Sequence, residues 1–166
     1  MAKTLNKELS GWLLARVWLN ALEETARDFH GTYPKPFCSR AYEHATSAWL
    51  RILQDEYGFD IKKSRTIKEA IENYIDIGVR GGLFQDASYF QVKEINPNKV
   101  EISILVCPYG ASCRDSIDMG FSHRDLTCAR IGCFAAAVKI LSDIPCTYEV
   151  NAVAGEEGCR GFIERA

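Results

Sequence analysis

Four of the seven cysteines stand where a metal ion could be bound or a thiol could react. Cys107 and Cys113 bound the stretch CPYGASC, Cys128 precedes the apolar run ARIGCFAAAV, and Cys159 follows the turn GEEG. Loops and element ends let ligands converge without breaking backbone pairing. Four thiolates, or three with His123, would satisfy the tetrahedral coordination of zinc. The spacings match no zinc-ribbon or iron–sulfur signature, so this zinc site is predicted from position alone.

A nucleophilic thiol is the rival prediction for the same residues. Near the start of a helix, Cys128 would feel the positive end of the helix dipole, which lowers a thiol pKa. His123, five residues upstream, could act as its base, with a solvent-facing histidine as the ordinary alternative. Cys107 is the other candidate nucleophile. The remaining thiols are predicted to pack in the core: Cys38, Cys133 and Cys146.

Aromatic side chains on the helices are candidates for the wall of a small-molecule pocket. Such pockets are mostly apolar and often lie between helices. The predicted lining is Trp12, Tyr42, Trp49 and Phe134. Core packing is the alternative for most of these residues. Trp18 falls on a different face from Trp12 and is a candidate contact with a partner subunit.

The composition is that of an ordinary soluble globular chain. Of its 166 residues 47% are apolar and 25% are charged, and the net charge is −2. Dispersed basic residues argue against nucleic-acid binding, and no apolar run is long enough to span a membrane. Arg16 interrupts the N-terminal apolar stretch, which favours a helix over a signal peptide. We therefore expect a cytoplasmic location, where the thiols stay reduced.

Three N-terminal helices are predicted from apolar residues that recur three or four positions apart. The first spans 4–30 and ends at Gly31, and the prolines of TYPKPF then predict a rigid loop. The second helix spans 39–57. A capping box formed by Thr66 and Glu69 opens the third helix, because each end residue can satisfy backbone donors near the other.

The periodicity then changes to that of strands. YFQVKEI and VEISILVC alternate around the turn NPNK, which predicts a β-hairpin whose second strand ends at Cys107. Cys113 follows in a loop. A second capping box at 122–125 opens a helix that contains Cys128 in its first turns. The segments CTYEVNAVA and CRGFIER predict a closing hairpin.

Strands clustered in this way favour an α+β fold over a doubly wound sheet. We expect N-terminal helices followed by an antiparallel sheet of two hairpins with one intervening helix. The prediction is a single domain over 1–166, mainly helical in 1–83. Residues 88–166 form the hairpin–helix–hairpin part, which carries the cysteine cluster.

The C-terminal third, roughly 100–164, resembles the 4-vinyl reductase domain family. The matching pieces are Cys128, GCFAAAVKIL, TYEVNAVA and the turn GEEG with Cys159. The resemblance implies the α+β fold shared with heme nitric-oxide-binding domains and TRAPP vesicle-tethering subunits, which is usually dimeric. It also implies a pocket for a small, often hydrophobic molecule.

In several members of that family, cysteines and a glutamate hold a structural zinc near the pocket. By position, Cys128 and Cys159 match two of those ligands. The glutamate and the cysteine that would complete the family's set are missing. Either the family's site is lost in this chain, or Cys107 and Cys113 complete it in another way, and we expect the second.

A second resemblance is to the L-2-amino-thiazoline-4-carboxylic acid hydrolase family. Cys107-Pro108-Tyr109, Cys128 and the glycine turn before Cys159 carry it, and the acidic residue expected soon after the second cysteine is missing. This resemblance implies a cysteine that attacks a ring amidine. Nearby donors would then stabilise the resulting anion.

Three functions remain open at this point. The first is a homodimeric ligand-binding or sensory protein with a cysteine-based zinc site, whose regulatory role would need a partner. The second is a cysteine-dependent hydrolase of a small cyclic amide or amidine, with Cys107 or Cys128 as the nucleophile. The third is a protein-interaction module with neither ligand nor activity.

Overall fold

The computed structural model describes residues 7–31, 35–121, 127–155 and 158–166. Within these residues the chain forms five α-helices and one four-stranded antiparallel sheet, which confirms the α+β prediction. The helices are α1 (Lys7–His30), α2 (Lys35–Tyr57), α3 (Ile67–Arg80), α4 (Gly110–Asp118) and α5 (Ala129–Ser142). The strands are β1 (Phe90–Asn96), β2 (Lys99–Ile104), β3 (Cys146–Gly155) and β4 (Gly158–Arg165).

The first helices follow the predicted pattern, with one changed boundary. Gly31 ends α1 with a φ of 69° and donates from its backbone N–H to the Arg27 carbonyl at 2.8 Å. Helix α2 begins at Lys35, four residues before the predicted start. Pro36 is compatible with a first helical turn because the N–H groups there have no intrahelical partner. The predicted loop therefore does not extend through the second proline.

The capping box of α3 is present. The Thr66 hydroxyl accepts from the Glu69 backbone N–H at 3.1 Å. The Glu69 carboxylate accepts in return from the backbone N–H of Arg65 at 2.7 Å, one residue before the cap. Two backbone donors at the helix start are thus satisfied.

The two predicted hairpins join into one sheet in the order β1-β2-β4-β3. The central pair β2–β4 is antiparallel, and its register ends with Ile104 opposite Cys159. Val100, Ile102 and Ile104 alternate inward on β2 and are buried. This register brings the end of β2 and the start of β4 to the same edge of the molecule.

Two helices, not one, separate the hairpins. Residues predicted as loop form α4, so Cys113 lies on a helix, and β2 ends three residues before Cys107. Helix α4 was missed because its buried residues are small: Gly110, Ser112, Cys113 and Ser116. Thr127 and Cys128 are not helical and α5 begins after them, so a helix continuous from 122 is wrong. The second capping box lies outside the described residues.

The core lies between the inner face of the sheet and helices α3 and α5, with α2 packed on α5. Phe134 of α5 is fully buried and packs against the rings of Tyr74, Phe84 and Phe90. No helix in the described ranges is long and apolar enough to cross a membrane.

Candidate active site around Cys107

Cys107 lies in the short connection between β2 and α4. The backbone N–H of Leu105 donates to the Tyr89 carbonyl at 2.8 Å, and that of Gly110 donates to the Cys107 carbonyl at 3.2 Å. The connection is therefore held both to the segment before β1 and to the first turn of α4. Cys107 itself is partly exposed.

Cys159 reaches Cys107 because glycine precedes it. Gly158 has a φ of 81°, and a Cβ there would lie 2.1 Å from the Ile104 carbonyl oxygen and 2.9 Å from the Leu105 Cα. Only a residue without a side chain allows β4 to start this close to the end of β2. The Cys159 thiol, 2% exposed, donates a hydrogen bond to the Cys107 sulfur.

Arg130 brings a buried positive charge to the same sulfur. It lies in the first turn of α5 and is 5% exposed. Its guanidinium carbon lies 4.6 Å from the ring centroid of Phe84 and 5.1 Å from that of Tyr109. The guanidinium donates to the Cys107 sulfur, while Arg130 Nε has no hydrogen-bond partner among the described atoms.

These contacts favour the anionic form of Cys107. The pKa of Cys107 is lowered to about 6, and the hydrogen bond from Cys159 is the largest cause. The charge of Arg130 and the backbone N–H of Tyr109 act in the same direction, and burial opposes them. A thiolate stable at neutral pH is the nucleophilic form of cysteine.

The Cys107 sulfur borders a largely apolar pocket of about 320 Å³, which we call the Cys107 pocket. Arg130 and Gln85 supply its polar side chains along with the Tyr89 hydroxyl. The other lining residues are Leu83, Phe84, Phe90, Val106 and Pro108. A volume of this size suits a small organic molecule with one polar end.

The other predicted metal ligands lie in the same region but are chemically different. Burial and the charge of Cys107 together raise the pKa of Cys113 to about 12. Burial also raises the pKa of Cys128, on which Cys113 and Cys107 act in the same direction. Cys113 and Cys128 thus lie near enough to Cys107 for their charges to interact.

The zinc prediction gains no support from this arrangement. The described part of the chain contains no group of three or more histidine, cysteine, aspartate or glutamate side chains that could hold a metal ion. A guanidinium also adjoins the Cys107 sulfur, where a second cation would be repelled. The zinc site therefore stays a prediction.

The predicted catalytic partner of Cys128 could not be placed, because His123 lies outside the described residues. Cys128 itself precedes α5 with a φ of 42° and is buried. Its raised pKa is the opposite of what a helix-start nucleophile requires. Cys107 is therefore the better candidate of the two.

The predicted aromatic pocket is only partly present. Trp49 lines a smaller pocket of about 180 Å³ together with Tyr74, Tyr109 and Arg130. Phe134 belongs to the core, and the Tyr42 hydroxyl donates to the buried Glu23 carboxylate at 2.8 Å. The Trp12 side chain lies outside what the structure describes.

Glu23 was not singled out in the sequence and proves to be a buried acid. It is 5% exposed, and Thr127 donates to the same oxygen as Tyr42, leaving Oε2 without a hydrogen-bond partner among the described atoms. Burial raises its pKa to about 7, against the opposing effect of the Tyr42 hydrogen bond. Cys38 of α2 is fully buried beside Glu23, Tyr42 and Thr127. This burial agrees with the prediction that Cys38 packs in the core.

A third pocket, of about 370 Å³, lies between α2, α5 and β3. Its lysines already have partners: Lys35 donates to the Tyr148 carbonyl, and Lys139 pairs with Glu43 at 2.8 Å. Cys146 borders it and donates to the Ala135 carbonyl. This pocket lacks the unpaired donor and the reactive thiol of the Cys107 pocket.

Arg130 is the site residue that the sequence could have revealed. It is the charged residue inside the apolar run ARIGCFAAAV. A charge in such a run is costly to bury unless it is paired, which points to a functional partner. Its proximity to Cys107 could not be read from the sequence because the two residues meet only through the tertiary fold.

Comparison with known proteins does not indicate a function for the chain. No protein-family model matches the chain. No curated protein matches it either. The two family resemblances therefore stay predictions.

Proposed function

We propose that the chain is a thiol-dependent hydrolase of a small cyclic amide or amidine, with Cys107 as the nucleophile. The observation that carries the proposal is the set of donors around the Cys107 sulfur at the wall of its pocket: a thiol, a backbone N–H and a guanidinium. Donors to the sulfur favour the thiolate, and the pocket gives a small substrate access to it.

In the first half of the reaction, the Cys107 thiolate attacks the carbonyl or amidine carbon of a substrate in the pocket. A sulfur–carbon bond forms, and the electron pair of the C=O or C=N bond moves onto the substrate oxygen or nitrogen. Arg130 supports this step, because it lines the pocket and its charge already adjoins the sulfur. A fixed donor of this kind stabilises the developing anion.

In the second half, the carbon–nitrogen bond of the ring breaks and the leaving nitrogen takes a proton. A water molecule in the pocket supplies it and becomes hydroxide. Hydroxide then attacks the thioester or thioimidate carbon. The sulfur–carbon bond breaks, which releases the hydrolysed product and restores the Cys107 thiolate.

The proposal extends to the fold family and the assembly. The order of elements is helices, a hairpin, two helices and a second hairpin, with β2 and β4 paired at the centre of the sheet. We propose that this is the fold shared by 4-vinyl reductase domains and TRAPP subunits. The extra helix α4 is an addition to the order that the resemblance implies. A homodimer is part of this proposal by analogy of fold.

A binding protein without catalysis is the second candidate, and the pocket lining favours it. The side chains that line the Cys107 pocket in the described part of the chain include no carboxylate and no imidazole. Turnover would therefore depend on water alone for proton transfer. A chain that binds its ligand reversibly needs neither.

Intact-protein mass spectrometry after acid quenching tests the proposal. The full chain is mixed with a panel of lactams, cyclic imides and 2-amino-thiazolines. We expect a covalent adduct with the mass of one panel member on the wild type, followed by release of the ring-opened product. Cys107→Ala should lose the adduct, and Cys146→Ala, which changes a partly exposed thiol outside this pocket, should keep it.

The same samples separate the alternatives. A raised melting temperature without adduct or product for any panel member would replace the hydrolase with the binding protein. An adduct that persists in Cys107→Ala would assign the chemistry to another thiol. Metal analysis of untagged protein adds a further check, because about one zinc per chain, lost in Cys128→Ala or Cys159→Ala, would restore the zinc-site prediction.

A further inference from the structure

We propose that Cys107 and Cys159 are a modification site that a hydroperoxide converts into a reversible disulfide. Neither cysteine is in a disulfide, and a hydrogen bond from Cys159 to the Cys107 sulfur joins the two thiols. They come from segments 52 residues apart in the sequence, on either side of helices α4 and α5. This chemistry is separate from the proposed hydrolysis and does not rest on it.

The backbone holds the two sulfurs together. Ile104 is paired with Cys159 at the end of the β2–β4 ladder, and Cys107 follows Ile104 by three residues. Gly158 allows the close approach, since a Cβ there would meet the Ile104 carbonyl oxygen at 2.1 Å. The contact is therefore fixed by strand register and by a glycine, not by flexible side chains alone.

Access differs between the two thiols and sets the order of reaction. Cys107 is partly exposed and borders the Cys107 pocket, through which a small peroxide can enter. Cys159 is 2% exposed and does not border that pocket. Cys107 is thus the thiol that meets the oxidant, and Cys159 is the resolving thiol. Arg130 lines the same pocket and donates to the Cys107 sulfur, so its positive charge favours the thiolate that attacks the peroxide.

The reaction balances in two steps. The Cys107 thiolate attacks the nearer oxygen of the hydroperoxide, so a sulfur–oxygen bond forms, the oxygen–oxygen bond breaks, and the leaving oxygen takes a proton to become an alcohol or water. The Cys159 sulfur then attacks the Cys107 sulfenic acid. The sulfur–sulfur bond forms, and hydroxide leaves with the Cys159 proton as water. Two thiols lose two electrons in total, and the hydroperoxide gains them.

Other pairings are possible in principle and are distinguished by the test. Cys113 and Cys128 lie near enough to Cys107 for their charges to interact. The thiol that donates a hydrogen bond to the Cys107 sulfur is Cys159. A linkage between Cys107 and either of the other two would therefore contradict the proposal.

Non-reducing peptide mapping of the wild-type chain tests the pairing without any variant. Reduced protein is treated with hydrogen peroxide, remaining thiols are blocked with N-ethylmaleimide, and the digest is analysed by mass spectrometry. We expect the loss of two of the seven free thiols and a peptide that links Cys107 to Cys159. Dithiothreitol should restore both thiols. A different linkage, an intermolecular linkage, or Cys107 oxidised to sulfinic acid without a linkage would overturn the proposal.

Two serine variants assign the roles, with dimedone as the probe for sulfenic acid. Cys159→Ser should accumulate sulfenic acid at Cys107, because no resolving thiol is present. Cys107→Ser should leave Cys159 unoxidised under the same conditions. Cys146→Ser is the matched control and should form the same linkage as the wild type. Rapid oxidation of Cys159 in Cys107→Ser would reverse the assigned order and contradict the proposal.

Discussion

Arg130 and Cys107 depend on each other. A guanidinium that is 5% exposed has lost most of its hydration, and the rings of Phe84 and Tyr109 return only part of that free energy. The remaining compensation comes from the negative charge on the Cys107 sulfur, to which Arg130 donates. A charge pair placed at a pocket wall indicates a site in use, since apolar residues of similar size would fill the same space at no electrostatic cost.

The substitution Arg130→Gln tests this dependence. The neutral amide removes the positive charge, so the pKa of Cys107 should rise and less thiolate should be present at pH 7. We expect alkylation of Cys107 by iodoacetamide at pH 7 to slow by about two-fold to ninety-fold, because the loss of a nearby opposite charge raises a pKa by about 1 to 3. The measurement is the alkylation rate of the Cys107 peptide between pH 5 and pH 9.

Arg160→Gln is the control for that experiment. Arg160 lies exposed on β4, one residue after Cys159, and it does not border the Cys107 pocket. Its replacement changes the net charge by the same amount and should leave the midpoint of the pH profile where it is in the wild type. Equal midpoints for the wild type and Arg130→Gln would remove Arg130 from the account of Cys107 reactivity.

At the scale of elements, the contact between α2 and α5 depends on a glycine. A Cβ at Gly132 would lie 2.4 Å from Cδ2 of Tyr42. The Tyr42 ring has little room to move, because its hydroxyl is hydrogen-bonded to Glu23 and lies 2.6 Å from the Thr127 hydroxyl. Replacing Gly132 with alanine therefore pushes against a side chain that is held at its far end.

Gly132→Ala should destabilise the protein even though alanine is the better helix former. Helix propensity alone favours alanine by about 1 kcal/mol, whereas overpacking a filled core costs about 1 to 3 kcal/mol. We expect a net loss, measured as the free energy of urea unfolding. Gly11→Ala on α1, where a Cβ would meet nothing within 4 Å, is the matched control and should be neutral or stabilising. A stable Gly132→Ala variant would show that Tyr42 can move aside.

The sequence predicted elements best where local chemistry decides them. The Thr66 and Glu69 cap and the alternation on β2 are local signals, and both are present. Helix α4 was missed because small side chains give no helical apolar pattern, although they suit close packing against α1. The earlier start of α2 was missed because prolines were read as loop residues and not as residues of a first turn.

Part of the candidate site could also be predicted from local features of the sequence. Cys107 and Cys159 stood out by residue type and by position beside turns, and the structure brings them into contact. The partners that give this pair its chemistry were not visible. Arg130 becomes a partner only when α5 packs on the sheet, and the role of Gly158 follows from the register of β2 and β4.

At the scale of the whole molecule, two titratable groups have pKa values that folding shifts in opposite directions. Burial raises the pKa of Glu23 to about 7, so the folded state favours its neutral form. Stability from this group is fully present below pH 4.5 and is lost as the pH rises toward 7, by about 3 kcal/mol. The folded state instead lowers the pKa of Cys107 from 9 to about 6. Its stabilising effect is lost below pH 6 and grows as the pH rises toward 9.

These opposite effects predict a minimum of stability between pH 6 and pH 7. The free energy of unfolding should fall from pH 5 to about pH 6, where Glu23 still gains charge and Cys107 is at most half ionised, and should rise from about pH 7 to about pH 8. Carboxyl groups with lowered pKa values, such as Asp115, act below this window, and thiols with raised pKa values, such as Cys38, act above it.

Two variants separate the acid and alkaline sides of this stability curve. The free energy of unfolding is measured by urea unfolding in the presence of a reducing agent. Glu23→Gln has nearly the shape of the protonated acid and should remove the fall on the acid side, because its side chain does not titrate. Cys107→Ser should remove the rise on the alkaline side and leave the acid limb unchanged. A curve that rises or falls steadily from pH 5 to pH 8.5 in the wild type would contradict the prediction. Neither group is among the causes of the other's shifted pKa, so the double variant should give the sum of the two single effects and a nearly flat profile.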